Sequence, residues 1–528
     1  MASTTNLRSR RSVAQLHALA GVEREIRAQD SHNRRKYLRE FSQAFVNYNS
    51  VLDLQQIQTA LNAADIVLIG DYHALPVAQR YAASLFEQRA LAGDRPVVLG
   101  VETIFARDQH ILDEWWRREI DESELRQRIR FDLDWGYDWA PFYELLVAAR
   151  DHGEAVYGLD CMPRENLRKI AARDRHAAAK IAEIRQCHPD AVIFVLFGES
   201  HLAPGHLPRL LQREIPGAKT LTVLQNVDPL YWRAAGEPAD KVDAVRVSDD
   251  VLCVFNATPL EKYESYRLFL DQWSRCDSGP DFAPTVYNLI DSLAAFLEIN
   301  RYSPHNGTQP KFLVDMLPEV HGSASESMLR RLLARKGIRD QQLGTMLATV
   351  EERGSAYLPA LNALCIREFQ MVHAAEDAAR FLHHACRGLP DRLKDRGTAD
   401  GEAETPALHA DIFYTRVIEH AVAYFGSRVL YPSRPAPDTD DATVLSRSAV
   451  EKAAQSAIRA DEAKLDSSAR NWGYGLGNQI YAVYLDGKVK PRELRRLFLA
   501  HLDQAGAARK VCVAVIAKIR SASRSARN

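Results

Sequence analysis

The sequence predicts a mostly parallel, doubly wound α/β sheet in the first part of the chain, followed by an all-α carboxyl-terminal domain. Two observations support this fold class. Short apolar runs rich in β-branched residues alternate with stretches of helical apolar spacing, which is typical of strand–helix–strand units with right-handed crossovers. The strand signal then disappears after about residue 284, and only helix-like stretches follow.

The strands of the predicted sheet are apolar at consecutive rather than alternate positions. Continuous apolarity is typical of strands that are buried on both faces of a parallel sheet. The candidate strands are residues 66–69, 97–101, 155–159, 192–197, 221–224 and 251–255. Helix-like stretches such as 76–92, 141–152 and 166–186 lie between them, which completes the alternation.

The carboxyl-terminal half reads as helices joined by polar connections. The predicted helices are residues 284–299, 325–351, 358–387, 411–430, 446–464 and 490–519. Two stretches rich in Pro, Gly or Asp, 391–407 and 431–442, are predicted to be exposed linkers. A chain of 528 residues is long enough for several domains. We expect a helical amino-terminal extension over 1–50, the α/β domain over 51–283 and the helical domain over 284–528.

Composition narrows the classes of function and the compartment. Lys plus Arg (68) nearly cancels Asp plus Glu (69), which argues against a nucleic-acid or acidic-membrane partner. Seven scattered cysteines without a close pair favour a reducing compartment over a disulfide framework or a structural zinc site.

The amino terminus predicts a cytoplasmic protein. It contains Arg8, Arg10 and Arg11 but no apolar segment of a secretory signal, and no apolar run approaches the roughly 20 residues that cross a bilayer. The alternative is an organellar transit peptide, because the terminus is rich in Ser and Arg and has no acidic residue before Glu23.

Polar residues follow four of the predicted strands at the point where each strand ends. The first leads into Gly70-Asp71-Tyr72-His73, the second ends at Glu102, the third ends at Asp160, and the fourth leads into Gly198-Glu199-Ser200-His201. In open α/β sheets the carboxyl ends of parallel strands share one edge, and ligands bind there. The sequence therefore predicts one site that combines two histidines with several carboxylates.

Imidazole and carboxylate groups in one site allow two kinds of chemistry. His73, Glu102 and His201 could ligate a divalent ion such as Mn, Zn or Fe, which would activate water against an ester or amide, with Glu199 as a further catalytic carboxylate. Without metal, one histidine could act as general base while a carboxylate orients it. Ser200 is the weaker nucleophile candidate, since the Gly-x-Ser-x-Gly pattern is absent.

Residues from about 60 to 230 resemble the ChaN-like branch of the haem-binding-uptake/Tiki superfamily, which also includes the erythromycin esterases. The resemblance rests on LIGDYHA, LGVETIFARDQHILDEW, FDLDWGYDWAPFYELL (131–146), LDCMPREN and LFGESHL. It implies an α/β fold and a shared site made of His73, Glu102 and His201. Asp71 stands where relatives commonly have Glu, so the carboxylate there is one methylene shorter.

The family resemblance implies different functions for different branches. Tiki-like members are metal-dependent proteases, erythromycin esterases hydrolyse a macrolide lactone, and ChaN-like lipoproteins bind haem and are linked to iron uptake. ChaN is lipid-anchored, whereas this sequence shows no signal peptide or lipobox, which argues against a role in haem uptake at the cell surface.

Three hypotheses therefore stay open: a metal-dependent hydrolase, a haem- or iron-binding protein without turnover, and an adaptor with a relict site. For haem, Tyr72 could ligate iron as a phenolate, Arg164 could bind a propionate, and Asp160 lies near the same rim. The alternatives are a packed Tyr72, a surface ion pair at Arg164 and a helix cap at Asp160.

The aromatic stretch around Trp135 could line a pocket for a flat ligand or anchor a loop. We expect the helical domain to close the site, contact a partner or mediate homo-oligomerisation.

Overall fold

The fold is described from a computed structural model. The described residues are 4–30, 36–161, 170–239, 241–274, 279–299, 313–322, 325–335, 340–387, 406–437, 446–457, 462–502 and 504–524. They belong to two compact units: one comprises Met1–Arg24 and Arg275–Asn528, and the other comprises Glu25–Ser274. The domain boundaries expected at residues 50 and 283 stay a prediction.

The unit of residues 25–274 is built on an eight-stranded sheet. Its strands are β1 (Ser50–Leu52), β2 (Ile66–Asp71), β3 (Val97–Phe105), β4 (Ala155–Asp160), β5 (Val192–Gly198), β6 (Thr220–Gln225), β7 (Ala244–Ser248) and β8 (Val251–Val254). The strand order is β1-β7-β8-β6-β2-β5-β3-β4. The pairs from β8 to β4 are all parallel, and only β1–β7 and β7–β8 are antiparallel. The mostly parallel, doubly wound sheet predicted from the sequence is confirmed.

Helices connect the strands and cover both faces of this sheet. They are α2 (Lys36–Ala44), α3 (Leu54–Ala63), α4 (Pro76–Leu91), α5 (Gln109–Trp116), α6 (Glu122–Arg128), α7 (Phe131–Asp134), α8 (Trp139–His152), α9 (Ile170–Cys187), α10 (Leu207–Glu214), α11 (Asp228–Ala234) and α12 (Pro259–Ser274). The first helix of the chain, α1, covers Thr4–Gln29. Several begin at a side chain that accepts a hydrogen bond from the first turn, such as Asp53 before α3 and Asp138 before α8.

Two hydrophobic cores lie on opposite faces of the sheet. Alternate residues of β2 separate between them: Val67 and Ile69 pack in the core with α3, α4 and α8, whereas Ile66 and Leu68 pack with α2, α9 and α10. All residues of β2, β3 and β5 are buried. The continuous apolarity of these strands follows from burial on both faces.

The sequence prediction missed β1 and β7. β1 has only three residues, and β7 reads Ala-Val-Arg-Val-Ser, with Arg246 in its centre and only Ala244 and Val245 buried. These strands form the antiparallel edge of the sheet, so they lack the uninterrupted apolar run that identifies its parallel strands.

The other unit is predominantly helical, as predicted. Besides residues of α1 it contains α13 (Ala283–Phe296), α14 (Glu326–Arg335), α15 (Asp340–Arg353), α16 (Met371–Arg387), α17 (Pro406–Leu430), α18 (Arg447–Ala457), α19 (Glu462–Leu485), α20 (Pro491–Phe498) and α21 (Ala507–Arg524). It also contains a small sheet that the sequence did not predict. Its strands are β9 (Glu319–His321), β10 (Ser355–Leu358) and β11 (Ala363–Ile366), in the order β10-β11-β9.

Four helix predictions in this half need correction. The predicted helix 358–387 begins only at Met371, because its first part forms the β10–β11 connection and β11. The predicted helices 325–351, 446–464 and 490–519 each fall on two separate helices. Of the predicted linkers 391–407 and 431–442, residues 391–405 and 438–442 lie outside the described residues, whereas α17 already begins at Pro406.

Within the described parts of both units, every helix is too short or too polar to cross a membrane.

Candidate functional site

Four neighbouring strands bring the predicted site residues to one edge of the sheet. β2, β5, β3 and β4 are adjacent in that order, and they end next to His73, at Gly198, near Glu102 and at Asp160. From β2 the chain passes over β5 to reach β3. From β5 it passes over β2 in the opposite direction to reach β6. Such a reversal of strand order opens a crevice at the carboxyl edge, the usual ligand site of this architecture.

Glu102 lies at the centre of the site and is buried. Its Oε1 accepts a hydrogen bond from Arg173 Nη2, and its Oε2 accepts one from the backbone N–H of Gly198. The Nε2 atoms of both predicted histidines face this carboxylate: His73 Nε2 lies 3.9 Å from Oε2, and His201 Nε2 lies 4.0 Å from Oε1. The structure therefore brings His73, Glu102 and His201 together.

Each imidazole is oriented by an aspartate on its other nitrogen. His73 Nδ1 donates to Asp71 Oδ2 at 2.6 Å, and His201 Nδ1 donates to Asp174 Oδ1. With the proton on Nδ1, the Nε2 lone pair of each ring points toward Glu102. Asp174 also accepts a hydrogen bond from His206 Nδ1 at 2.8 Å.

Arg173 links two of the predicted carboxylates. Its Nε and Nη2 donate to the two oxygens of Asp160 at 2.9 and 2.8 Å, and Nη2 also donates to Glu102. Burial alone would lower the pKa of Arg173, but the charges of Glu102 and Asp160 raise it well above its ordinary value. Asp160 therefore positions the arginine that holds Glu102. Arg164 lies outside the described residues.

Gly198 leaves space in the middle of the site. A Cβ atom at this position would lie 3.0 Å from Glu102 Oε2, 3.4 Å from His73 Nε2 and 3.4 Å from His201 Cδ2. Any other residue would push a methyl group or more between the carboxylate and the two rings. The glycine of the second Gly-x-x-His motif thus keeps a gap that a small ligand could fill.

Glu199 and Tyr72 lie beside a buried lysine. Both oxygens of Glu199 accept hydrogen bonds from Lys262 Nζ, at 2.9 and 3.0 Å, and this ammonium also lies 4.7 Å from the centre of the Tyr72 ring. Burial alone would lower the pKa of Lys262, but Glu199 and Asp228 raise it. Burial, with Tyr263 and Glu199 nearby, raises the pKa of Tyr72 well above its ordinary value.

The aromatic stretch 131–146 divides between core and site. Trp139 and Phe142 are buried in the hydrophobic core, where they pack on Phe131. Trp135 belongs to the same core, where it packs on Phe142, and it also contacts the imidazole of His73, with ring centres 4.7 Å apart. Tyr137 contacts this imidazole at 5.4 Å and lines the cavity. Most of this stretch therefore anchors the core, and Tyr137 is the residue that also lines the cavity.

A cavity of about 310 Å³ opens at the two histidines. His73, Glu102, Glu199, Ser200 and His201 line it. Tyr37, Tyr72, Tyr137 and Tyr266 supply its aromatic lining.

Sequence reasoning missed Arg173, Asp174 and Lys262. The first two lie within the predicted helix 166–186, and Lys262 lies on α12, far from any motif. For Arg173 and Asp174 the one sequence signal is that two adjacent charged residues lie in a helix that must pack on the sheet. A buried charge needs a partner, so such a pair indicates a contact with other charged side chains.

In the part of the chain that the structure describes, no group of three or more His, Cys, Asp or Glu side chains is already arranged around one point as a metal site. Each histidine is nevertheless near enough to Glu102 to share an ion with it. Ligand atoms about 2.2 Å from the same zinc lie no more than about 4.4 Å apart, and the two Nε2–Glu102 distances are shorter than that.

Comparison with known proteins finds a family similarity in part of the chain. Residues 57–186 match the family model described as "Haem-binding uptake, Tiki superfamily, ChaN". A solved structure, "Cofacial heme binding to ChaN of Campylobacter jejuni", aligns with 38% of this chain and 91% of its own, at 14% identity and a TM-score of 0.26. A search of curated proteins found no match. The predicted relation to erythromycin esterases stays a prediction. Residues 57–186 of this chain are thus similar to the ChaN-like members of the haem-binding-uptake/Tiki superfamily.

Proposed function

We propose that the candidate site binds a divalent metal ion through His73, Glu102 and His201 and hydrolyses an ester or an amide. The observation that supports this function best is the convergence of two Nε2 atoms on one buried carboxylate, at 3.9 and 4.0 Å. Each histidine also donates its Nδ1 proton to an aspartate. Metal-bound histidines commonly have such a carboxylate partner, which fixes the tautomer and increases the basicity of the ligand nitrogen.

The charge of the site favours a bound cation. Asp71, Glu102, Asp160 and Asp174 are all buried, and the Arg173 guanidinium donates to two of them, Glu102 and Asp160. The other two, Asp71 and Asp174, contact the imidazoles of His73 and His201. Several carboxylates concentrated in one buried site favour a cation there, because a nearby positive charge stabilises the charged form of each.

The residues of the chain have separate roles in this proposal. A divalent ion such as Mn, Zn or Fe, held by His73, Glu102 and His201, would supply Lewis acidity and a nucleophilic water near neutral pH. Arg173 donates a hydrogen bond to Glu102 and fixes its orientation. Gly198 leaves the space between the ligands open.

The catalytic role of Glu199 stays a prediction. Both of its oxygens accept hydrogen bonds from Lys262, so its carboxylate is already neutralised by an ion pair at the wall of the cavity. A role as proton acceptor therefore requires this pair to open.

The alternative function is haem or iron binding without turnover, which the family description favours. His73, with Trp135 and Tyr137 against its ring, is then the candidate axial ligand. Tyr72 suits this function less, because its raised pKa disfavours the phenolate that ligates iron. The cavity of about 310 Å³ is also at the lower end of the range for ligand pockets, about 300–1,000 Å³.

Hydrolysis assays with a panel of aryl esters and peptide amides test the proposed function. Wild-type protein loaded with Mn²⁺ or Zn²⁺ should hydrolyse at least one class, and chelation should remove the activity. His73→Ala and His201→Ala should lose both metal binding and hydrolysis while their circular dichroism stays unchanged. Full hydrolysis by both variants would exclude the proposal, and a haemin titration with a Soret shift but no turnover would favour the alternative.

A further inference from the structure

We propose that the α/β unit has a second ligand site, which binds an amphipathic anion in a groove at the opposite edge of the sheet. This amino-edge groove has a volume of about 1,070 Å³. It is formed by the end of α3, by α10, by residues 218–222 at the start of β6 and by residues 246–251 of the β7–β8 hairpin. None of its lining residues lines the cavity at His73 and His201.

The position of the groove follows from the parallel sheet. The candidate site lies at the carboxyl ends of its strands. The amino ends of β2, β6 and β8 lie at the opposite edge of the sheet, because the two ends of parallel strands lie at opposite edges. Ala63 and Ala64 precede β2, Lys219 precedes β6, and the β7–β8 turn precedes β8. The groove also includes Leu202 and Pro204, which follow His201 in the chain, so the two sites share no lining residue but do share a segment after β5.

The floor of the groove is apolar. Phe45, Leu202 and Leu221 line it and are buried, and small side chains such as Ala60 and Ala64 leave the volume open. An apolar ligand body would cover this surface and remove it from water, which is favourable in proportion to the area covered.

Three basic side chains on three different elements line the same groove. They are Arg209 on α10, Lys219 before β6 and Arg246 on β7. Among the described residues, no ion pair or hydrogen bond involves any of these three side chains, although the backbone N–H of Lys219 donates to Asp65 Oδ2 at 2.9 Å. The neighbouring Asp65 is not available, since Arg95 and Arg185 already pair with it at 3.0 and 3.4 Å.

The acidic side chains of the groove are concentrated at one end. Asp249 and Asp250 lie at the β7–β8 turn, and Asp250 Oδ1 accepts a hydrogen bond from Ser248 Oγ at 2.6 Å. With three cations and two carboxylates, the groove keeps one net positive charge. A carboxylate or phosphate group bound by the arginines would complete their hydrogen bonds, because a guanidinium fits both anions in a fork.

An apolar floor beside unpaired cations fits a ligand with an apolar body and a single carboxylate or phosphate group. The volume of the groove is at the upper end of the range for small-molecule pockets, about 300–1,000 Å³. It therefore has room for an apolar ligand body as well as for the charged group. This assignment is independent of the proposed metal chemistry.

Calorimetric titration of the full-length protein tests the second site. Monomeric decanoate and decyl phosphate are the probes, and neutral 1-decanol is the uncharged comparison. Both anions should bind wild-type protein with one site per chain, and decanol should bind at least about tenfold more weakly, since it lacks the charge-assisted contacts. His73→Ala should bind decanoate as wild type does.

Matched variants separate the groove from general surface charge. The double variant Arg209→Gln/Arg246→Gln should weaken decanoate binding at least about tenfold. Arg213→Gln, at an exposed position of α10 outside the groove lining, should leave it unchanged. Ala63→Phe, at an exposed position that faces the groove, should block binding of both anions without unfolding the protein.

Three results would overturn the assignment. They are no binding of either anion to wild-type protein, equal binding by the Arg209→Gln/Arg246→Gln variant, and binding to phosphatidylglycerol vesicles but not to monomeric decanoate. The last would assign the basic side chains to a lipid surface instead of a soluble ligand.

Discussion

Two buried clusters of charged side chains, one in each unit, differ in how their charges are paired. At the candidate site, the described Arg173 guanidinium contacts Glu102 and Asp160, while Asp71 and Asp174 contact the two histidines. In the helical unit several guanidiniums share one carboxylate, because Arg353, Arg380 and Arg434 all lie within 3.5 Å of the Glu376 carboxylate. That carboxylate is fully buried and also accepts a hydrogen bond from Tyr474 at 2.8 Å.

The difference separates a cluster that joins helices from one that lines a cavity. The Glu376 cluster joins α15, α16, α19 and the chain after α17, so its contacts hold helices together. The candidate site instead holds two imidazoles whose Nε2 atoms face Glu102, an open space at Gly198 and a cavity. Side chains that only pair with one another stabilise the fold, whereas carboxylates and imidazoles beside a cavity can also contact a ligand.

The largest effect on stability is expected for Glu376→Gln. The substitution leaves Arg353, Arg380 and Arg434 without their shared counter-charge, and breaking a buried ion pair by removing one partner costs about 3–5 kcal/mol. Urea unfolding followed by circular dichroism measures the loss. Glu351→Gln, which removes an exposed pair with Arg367, should cost at most about 1 kcal/mol. Equal losses in the two variants would contradict a structural role for the Glu376 cluster.

The same cluster should make the helical unit sensitive to acid. The three arginines hold the pKa of Glu376 well below its ordinary value despite burial, which alone would raise it. The folded state therefore binds this proton less readily than the unfolded chain, so the stabilisation is present above about pH 4.3 and is lost as the pH falls below it. The free energy of unfolding should fall less steeply with acid in Glu376→Gln. Identical pH profiles would contradict this assignment.

At the candidate site, Asp174→Asn should weaken metal binding without a comparable loss of stability. Asparagine cannot accept the His201 Nδ1 proton as a charged group, so the ring loses its fixed tautomer. Loss of such a partner typically costs about 10- to 100-fold in metal affinity. Competition with a chromogenic chelator measures the affinity, and Glu183→Gln on the exposed face of α9 is the control. An unchanged affinity would remove Asp174 from the site.

A smaller effect is expected for Gly198→Ala. The added methyl group would contact both imidazoles and would lie 3.0 Å from Glu102 Oε2, which must move by a few tenths of an ångström. We expect a loss of up to about tenfold in metal affinity, with little change in the melting temperature. Gly205→Ala is the matched control, because a Cβ there meets nothing within 4 Å. If both variants bind metal equally well, the gap at Gly198 is not a ligand site.

Sequence reasoning reached the parts of the site that depend on strand ends. A parallel sheet brings the residues after its strands to one edge, so His73, Glu102, Asp160 and His201 could be grouped before the structure was known. Arg173 and Asp174 could not, because their contacts depend on how α9 packs back against β4 and β5. A helix pattern alone does not show which polar positions face a partner.

The small sheet of the helical unit shows a second reason for failure. β10 (Ser-Ala-Tyr-Leu) and β11 (Ala-Leu-Cys-Ile) have only four residues each and contain Ala and Leu, which favour helices. Apolar runs this short have no period that separates a strand from a buried helix. The predicted cytoplasmic location and homo-oligomeric state stay predictions.

The central claim is that this site holds a divalent metal through His73, Glu102 and His201. Elemental analysis and absorbance spectra of protein purified without a histidine tag, beside His73→Ala, test it most directly. The account predicts near-stoichiometric Mn, Zn or Fe without a Soret band in the wild-type protein, and loss of the metal in the variant. Metal-free protein that also fails to bind added Mn²⁺ or Zn²⁺, or iron accompanied by a Soret band, would contradict it.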